Sequence, residues 1–422
     1  MKNRTKLSAL ILSIILIFSC FGMSSCILRL DEEDYVSKSE VEQMIKNGMY
    51  GDITVEGGDN YNVTINADDR ENVAAGKALL SVVSIKCVFK TYSQGLYPGG
   101  SSSKEKAAAG SGVIYKLDKN RGEAYIITNY HVVYYSGANT ENGISNDITV
   151  YLYGQESSEY AIPAKYVGGS MNYDLAVLKV EASRVLAESN AMAAEFADSN
   201  EVAVLDQAIA VGNPEALGIS ATLGYVNVDS EYITLEGADG STTIQIRVMR
   251  IDTAVNGGNS GGGLFDSHGN LIGIVNAKLT ESENMGYALP SNFVKYVADN
   301  ILFYCDGTDR ESVYRCYLGI TVAAKELYTE YDKETGRVHR RETVSISSIE
   351  NNSIAKDKLA VGDVINSIVI DGVEYDVTRM YVVTDAMLNA RVGSVVKINI
   401  TRNGAKQSVT ITITEGALTV VE

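Results

Sequence analysis

Three short segments of this chain hold residues that together can break an amide bond. Ile126-Ile127-Thr128-Asn129-Tyr130-His131-Val132-Val133 puts a histidine just past an apolar run. Tyr173-Asp174-Leu175-Ala176-Val177-Leu178 puts an aspartate at the head of another. Gly258-Asn259-Ser260-Gly261-Gly262 puts a serine in a glycine-rich bend. Amide hydrolysis at neutral pH needs a nucleophile, a base to take its proton, and donors for the oxyanion that forms. A serine hydroxyl is weak alone; an imidazole activates it, and a carboxylate fixes the imidazole's tautomer. This assigns Ser260 as nucleophile, His131 as base and Asp174 as the orienting carboxylate. The N–H groups of Gly258 and Ser260 are the expected oxyanion donors, and glycine lets the oxyanion approach the backbone closely. Each segment alone is weak: a lone histidine is usually structural, a strand-end aspartate usually a turn residue, and a glycine-rich bend usually a loop.

The elements around these segments strengthen the reading. Val, Ile, Thr and Tyr dominate the middle of the chain, with 38 glycines and only 4 prolines, which favours short strands joined by glycine turns. Strand-like runs are expected at 80–89, 113–117, 124–128, 148–153, 175–180, 208–211, 221–228, 244–251 and 271–275. No long helix separates them, which argues for an all-β barrel or sandwich over a parallel α/β sheet. Residues 99–112, rich in Gly, Ser and Ala, read as a flexible surface loop. Ser291 is the expected cap of a helix with Phe293, Val297 and Ile301 on one face. A polar stretch at 304–312 then precedes a second β-rich block from about Tyr314 to Val420. Each candidate residue thus sits at a strand end. The order His, Asp, Ser is that of the chymotrypsin-like arrangement, not of subtilisin or the α/β-hydrolases.

On these motifs the chain resembles the HtrA/Deg family of trypsin-fold proteases. The resemblance rests on Thr128-Asn129-Tyr130-His131-Val132-Val133, Asp174-Leu175-Ala176-Val177, Gly212-Asn213-Pro214, Gly258-Asn259-Ser260-Gly261-Gly262-Gly263-Leu264 and Gly286-Tyr287-Ala288-Leu289-Pro290. It covers residues 73–303. It implies a mainly β fold: a chymotrypsin-like double β-barrel with the site in the cleft between barrels, followed by a PDZ-like domain. The rival reading of the Ser260 bend as the G-x-S-x-G elbow of an esterase needs a helix directly after the serine and a triad histidine downstream. Three glycines follow Ser260 instead, and the downstream histidines are His268, in a turn, and His339, in the second block. In the trypsin fold the residue six before the nucleophile floors the primary pocket. Here it is Ala254, so an uncharged pocket for small or medium apolar side chains is expected. No Arg-Ile-Val-Gly-Gly activation sequence precedes the barrel, so the resemblance points to ordering of the oxyanion loop by peptide binding, often within a trimer.

Tyr317-Leu318-Gly319-Ile320 resembles the carboxylate-binding loop of PDZ domains, where backbone N–H groups hold a peptide's terminal carboxylate and the peptide adds as a strand. Leu359-Ala360-Val361-Gly362-Asp363-Val364-Ile365 resembles the Gly-Asp-Val-Ile turn of HtrA-type PDZ domains, and 395–400 with 409–413 read as a closing hairpin about Asn403-Gly404. This resemblance covers 314–418; residues 327–343 depart from it, being longer and highly charged. A structural β-domain covering the protease is the plainer alternative.

The N-terminus carries Lys2, Arg4 and Lys6 before an apolar run to Phe21, about 15 residues, short for a bilayer span of about 20. It reads as a signal segment of residues 1–26 ending in a lipobox-like Met23-Ser24-Ser25-Cys26, with Cys26 the expected lipidation site and Cys20 a second candidate. An uncleaved signal anchor is the other reading. In either case the body lies outside the bacterial cell membrane, tethered to it, with residues 27–72 as a spacer. Within that spacer Ser39-Glu40-Val41-Glu42 fits a capping box, and 53–65 alternates like a weak hairpin. A net charge of −17 gives no basic footprint for nucleic acid. Three histidines and no paired cysteine spacing argue against a metal site, and no cofactor is expected. Cys305 and Cys316 are free to pair or not. The expected partners are unfolded or secreted polypeptides, peptide C-termini, the membrane, and other copies in a homotrimer. The expected function is an extracytoplasmic serine endopeptidase acting on misfolded or secreted proteins. The alternative is a catalytically silent chaperone or scaffold that holds chain termini.

Overall fold

The computed structural model describes residues 53–56, 62–65, 70–94, 101–276 and 285–422. The leader with Cys20 and Cys26 and the capping box at Ser39 lie outside them. The chain divides into two units, between Asn72 and Val73. The described part of the first is an antiparallel hairpin of β1 (Ile53–Glu56) and β2 (Asn62–Ile65), in which Ile53 faces Ile65.

α1 (Arg70–Ser81), which passes the division at Val73, runs directly into β3 (Val82–Gln94). The apolar run expected as a strand from Leu80 therefore starts in the last helical turn. The helix buries Ala74 and Ala78, an i,i+4 pair of small side chains against the second barrel. β4 (Ser101–Asp118) corrects the expectation of a loop at 99–112: it pairs with β3 from Gln94↔Ser101 to Val82↔Val113. Its small residues are a steric requirement. A Cβ on Gly112 would lie 2.6 Å from Ile126 Cγ2 and 2.8 Å from Ile85 Cδ1, and one on Gly110 2.6 Å from Val132 Cγ1. Composition signals a loop there, whereas the space left by branched neighbours explains the glycines.

β5 (Glu123–Thr128), the single helical turn α2 (Tyr130–Val133), β6 (Asp147–Leu152), β7 (Ile162–Ser170) and β8 (Leu175–Val180) follow, then the short helix α3 (Arg184–Glu188). Strands β3-β4-β5-β8-β7-β6 close one barrel. The next strands are β9 (Gln207–Gly212), β10 (Ser220–Glu236), β11 (Thr243–Ile251), β12 (Gly263–Phe265), β13 (Leu271–Val275) and β14 (Gly286–Pro290). They close a second barrel in the order β10-β11-β14-β13-β12-β9. Closure removes sheet edges and gives each barrel an inside. Val83, Ile85, Ile114, Ile126 and Leu178 fill the first, and Met249, Ile251, Leu264 and Ile272 the second. α4 (Ser291–Tyr304) packs Phe293, Val297 and Ile301 against a core shared by both barrels. Ser291 is not its cap, as the sequence suggests: Pro290 holds that position, and the Ser291 hydroxyl donates to the Ala197 carbonyl at 2.8 Å.

The C-terminal block consists of β15 (Val313–Cys316), β16 (Ile320–Tyr331), β17 (Val338–Ile349), β18 (Val364–Ile370), β19 (Val373–Asp376), α5 (Met380–Ala386), β20 (Val395–Arg402), β21 (Ala405–Thr412) and β22 (Leu418–Val421). Its sheet runs β16-β17-β18-β20-β21, with β19 on β18, and β15 pairs with β22 as a separate ribbon. The block has its own core, including Val344, Ile365, Ile368, Val396 and Ile398. It is joined to the second barrel by charge. Arg247 on β11 meets Asp385 on α5 at 2.5 Å and lies 3.9 Å from the Tyr381 ring centre. Arg379 reaches both Asp229 (3.1 Å) and Glu342 (3.2 Å). Cys305 and Cys316 do not pair; their thiols donate to the carbonyls of Ser312 and Ala390, both at 3.3 Å. Among the described residues no helix is long and apolar enough to cross a membrane.

Candidate active site

His131 and Asp174 come together from neighbouring strand ends of the first barrel. β5 ends at Thr128, and α2 carries the imidazole directly beyond it. β5 pairs with β8, with Thr128 opposite Ala176, so the residue ahead of β8 is placed beside that helical turn. His131 Nδ1 lies 2.8 Å from Asp174 Oδ2 and 3.0 Å from Oδ1, and the His131 backbone N–H donates to Oδ1 at 3.0 Å. The carboxylate is only 1% exposed, so its oxygens depend on protein donors. The remaining donor is Asn276, whose Nδ2 is 2.9 Å from Oδ2. With Nδ1 facing a carboxylate, the proton belongs on Nδ1 and Nε2 is left as the acceptor.

Asp174 itself has φ 49, a left-handed backbone that a non-glycine residue adopts at a cost of roughly 1–2 kcal/mol. The conformation is fixed from several sides. Asn129 Nδ2 donates to the Asp174 carbonyl at 2.8 Å, and the Asp174 N–H donates to the Met171 carbonyl at 3.1 Å.

Ser260 lies buried in the bend between β11 and β12. Its main chain is fastened to the first barrel: its carbonyl accepts from Ser111 N–H at 2.8 Å. Gly261, at φ 83, leaves no room for a Cβ, which would fall 2.2 Å from the Ser111 carbonyl and 3.1 Å from Asn129 N. The serine bend therefore sits directly on the strand end that leads to His131. The neighbouring Gly258, at φ 98, is equally confined, since its Cβ would lie 2.2 Å from the Asn213 carbonyl. The Gly257 carbonyl accepts from Glu215 N–H at 2.8 Å. In a trans peptide this turns the Gly258 N–H away from the 214–216 turn. Ser111 Oγ donates to the Gly258 carbonyl (2.7 Å) and accepts from Asn213 N–H (2.8 Å).

Ala254 lies just after β11, and its carbonyl accepts from Thr222 Oγ1 at 3.1 Å. The next residue, Val255, faces Gly286, a Cβ on which would lie 2.9 Å from Val255 Cγ2. Residues 277–284, which follow Asn276, are outside the described set. Tyr317, Leu318, Gly319 and Ile320 link β15 to β16 in the C-terminal block, in a sequence segment far from the His131–Asp174–Ser260 group. The Tyr317 N–H is committed to the Ala417 carbonyl at 2.7 Å. Gly319 has φ 75, and a Cβ there would overlap Ser353. Among the described residues no group of His, Cys, Asp and Glu could hold a metal.

Sequence reasoning missed Asn276 and Ser111. Asn276 is a polar residue ending the apolar run Leu271-Ile272-Gly273-Ile274-Val275, and Ser111 lies in the stretch read as loop.

Residues 110–274 match the family model of the trypsin-like peptidase domain, so fold and sequence define a trypsin-like serine protease. The serine protease Do-like HtrA of Lactobacillus helveticus is 30% identical over 317 residues, 72% of this chain and 69% of its own. The protein of the same name from Bacillus subtilis (strain 168) is 29% identical over 345 residues, 78% of this chain and 69% of its own. The periplasmic serine endoprotease DegP of Escherichia coli (strain K12) is 31% identical over 273 residues, 64% of this chain and 50% of its own. A solved HtrA-type protease, AlgW with a decapeptide, aligns over 82% of this chain and 98% of its own, 24% identical with a TM-score of 0.49. The chain belongs to the HtrA family and is a serine endopeptidase.

Proposed function

We propose that this endopeptidase works through Ser260, His131 and Asp174, on polypeptides outside the cytoplasm. The observation that carries the reading is the buried Asp174 carboxylate, held by Asn276 and facing His131 Nδ1, beside the glycine bend that carries Ser260. In this mechanism His131 Nε2 takes the Ser260 Oγ proton as that oxygen attacks the scissile carbonyl carbon. Asp174 stabilises the imidazolium without taking the proton, and the N–H groups of Gly258 and Ser260 receive the oxyanion. The tetrahedral adduct collapses as His131 gives its proton to the leaving amine. Water, activated by the same imidazole, then releases the acyl group. Ala254 and the neighbouring Thr222, Val255 and Gly286 offer no charge to the residue before the cut, so small and medium apolar side chains are the preferred occupants.

The C-terminal block is read as a peptide-binding module. β16 is the edge of its sheet, with β17 as its ladder partner among the described residues, so an extended peptide can add there. Its terminal carboxylate would meet the backbone of residues 318–320. The extracytoplasmic assignment draws on the leader and on the DegP relative, which is periplasmic. Misfolded or secreted chains are the proposed substrates, because such chains expose both apolar cleavage sites and termini. Membrane anchoring through Cys26 and assembly as a trimer belong to the same proposal.

The test is cleavage of unfolded casein by the body of the protein. Ser260→Ala should abolish hydrolysis with the thermal transition unchanged, and His131→Ala should do nearly the same, since triad members act as a unit. A Ser260→Ala protein that keeps most of the wild-type rate would overturn the assignment.

A further inference from the structure

The strand that leads into the 317–320 loop also holds the turn that carries Asp174. β15 and β22 pair from Val313↔Val421 to Cys316↔Leu418, a ribbon about 13 Å long at the usual strand rise. At one end the Tyr317 N–H donates to the Ala417 carbonyl, and the loop 318–320 begins. At the other end the Glu422 main-chain oxygen accepts from Asn172 N–H at 2.8 Å and from Ser170 Oγ at 3.0 Å. The β15 side is tied to the same turn. Gly169 N–H donates to the Glu311 carbonyl at 2.8 Å, Gly169 bridges to Ser312, and Arg315 Nη1 donates to Tyr173 Oη at 3.2 Å.

The turn closes the β7–β8 pairing, with Ser170 opposite Leu175, and Tyr173 sets its ring edge-on to Phe293 at 5.1 Å. Asn172 is exposed and Met171 only partly covered, while Ser170 is fully buried. The Ser170 hydroxyl donates to Glu422 and accepts from Tyr173 N–H at 3.3 Å, so one oxygen joins ribbon to turn. Directly after it, Asp174 adopts its left-handed φ. Such a conformation persists only where the surroundings over-determine it. Asn129 and Met171 hold Asp174 directly, and the ribbon fixes residues 169–173 that lead into it.

We infer that the β15–β22 ribbon positions the catalytic carboxylate, with Ser170 as the positioning residue; this rests on the assignment of Asp174 to the triad.

The experiment compares wild type, Ser170→Ala and Tyr173→Phe in the full chain, with a short fluorogenic apolar peptide as substrate. The expected result is a fall in kcat of about tenfold for Ser170→Ala and less for Tyr173→Phe, with KM within about twofold. Labelling of Ser260 by a fluorophosphonate should slow in proportion to kcat, and the thermal transition should stay close to wild type. Arg315→Gln serves as a second variant should Ser170→Ala fold poorly, and it should lower kcat in the same way. Unchanged kcat in both Ser170→Ala and Arg315→Gln would overturn the positioning role.

Discussion

At the scale of single residues, the site depends on how a buried carboxylate is held and aimed. Asp174 accepts from the His131 ring, the His131 backbone and Asn276. Asn276→Ala removes one charge-assisted bond worth about 1.5–3 kcal/mol. It should therefore lower kcat/KM roughly 10- to 100-fold, mainly through kcat, as steady-state kinetics on a short substrate will register. Asn276→Asp should be worse, because it sets a second negative charge against the first. The pocket is a second residue-scale matter. On the proposal that Ala254 floors it, mass-spectrometric mapping of cuts in a denatured protein should find Val, Ile or Ala before the cut, and Ala254→Asp should move cuts toward Lys and Arg. A wild-type majority of cuts after Lys or Arg would contradict an uncharged pocket.

Among the elements, β4 is where local composition and structure disagree most. Its Ala107-Ala108-Ala109-Gly110-Ser111-Gly112 run has poor strand propensity, yet it is paired along its whole length. The pairing holds because neighbouring Ile85, Ile126 and Val132 occupy the space a larger side chain would need. Gly112→Ala should cost about 1–3 kcal/mol by overpacking and lower the melting temperature by several degrees. Gly110→Ala pushes instead on Val132, next to His131, so it should reduce activity as well as stability. Parallel calorimetry and kinetics on the two variants distinguish these outcomes. α1 teaches the same lesson from the other side: its alanine face is stable as a helix because the second barrel covers it.

For the whole molecule, the joint between second barrel and C-terminal block is an ionic one. Burial pushes the Asp385 carboxyl upward, and Arg247 opposes that shift. Removing one member of such a pair strands the other, at about 3–5 kcal/mol, whereas replacing both can be close to neutral. Arg247→Met and Asp385→Leu should each destabilise strongly, and the double variant less than either alone, in a thermal double-mutant cycle. Acid should loosen the C-terminal block for a separate reason. At Asp363 burial works to raise the carboxyl's pKa, but Arg402, 2.7 Å from each oxygen, and the Ala360 N–H outweigh it and hold it below the usual range. A carboxyl depressed on folding stabilises fully above its unfolded value, about 3.9, and that contribution is lost as pH falls through the folded value. The melting temperature should therefore change little between roughly pH 7 and 5 and drop below about pH 4. Asp363→Asn should lower it at neutral pH and soften the acid drop.

The sequence by itself carried the reaction class, because a serine mechanism demands particular residue types: His131, Asp174 and Ser260 stand at strand ends in one order, each in a recognisable motif. Strands without crossover helices pointed to a barrel or sandwich, and the motif resemblance implied the two barrels that the structure closes. Tertiary structure decided what depends on contacts between distant segments. Asn276 reaches Asp174 across 102 positions, and Ser111 reaches Gly258 across 147. The glycines of β4 became strand only against their branched neighbours, and Ser291 gave its hydroxyl to Ala197 instead of its own helix. Local propensity fixes which residues want strand or turn. Which polar groups must satisfy one another, and which side chains must be small, is set by what the closed barrels bring into van der Waals contact.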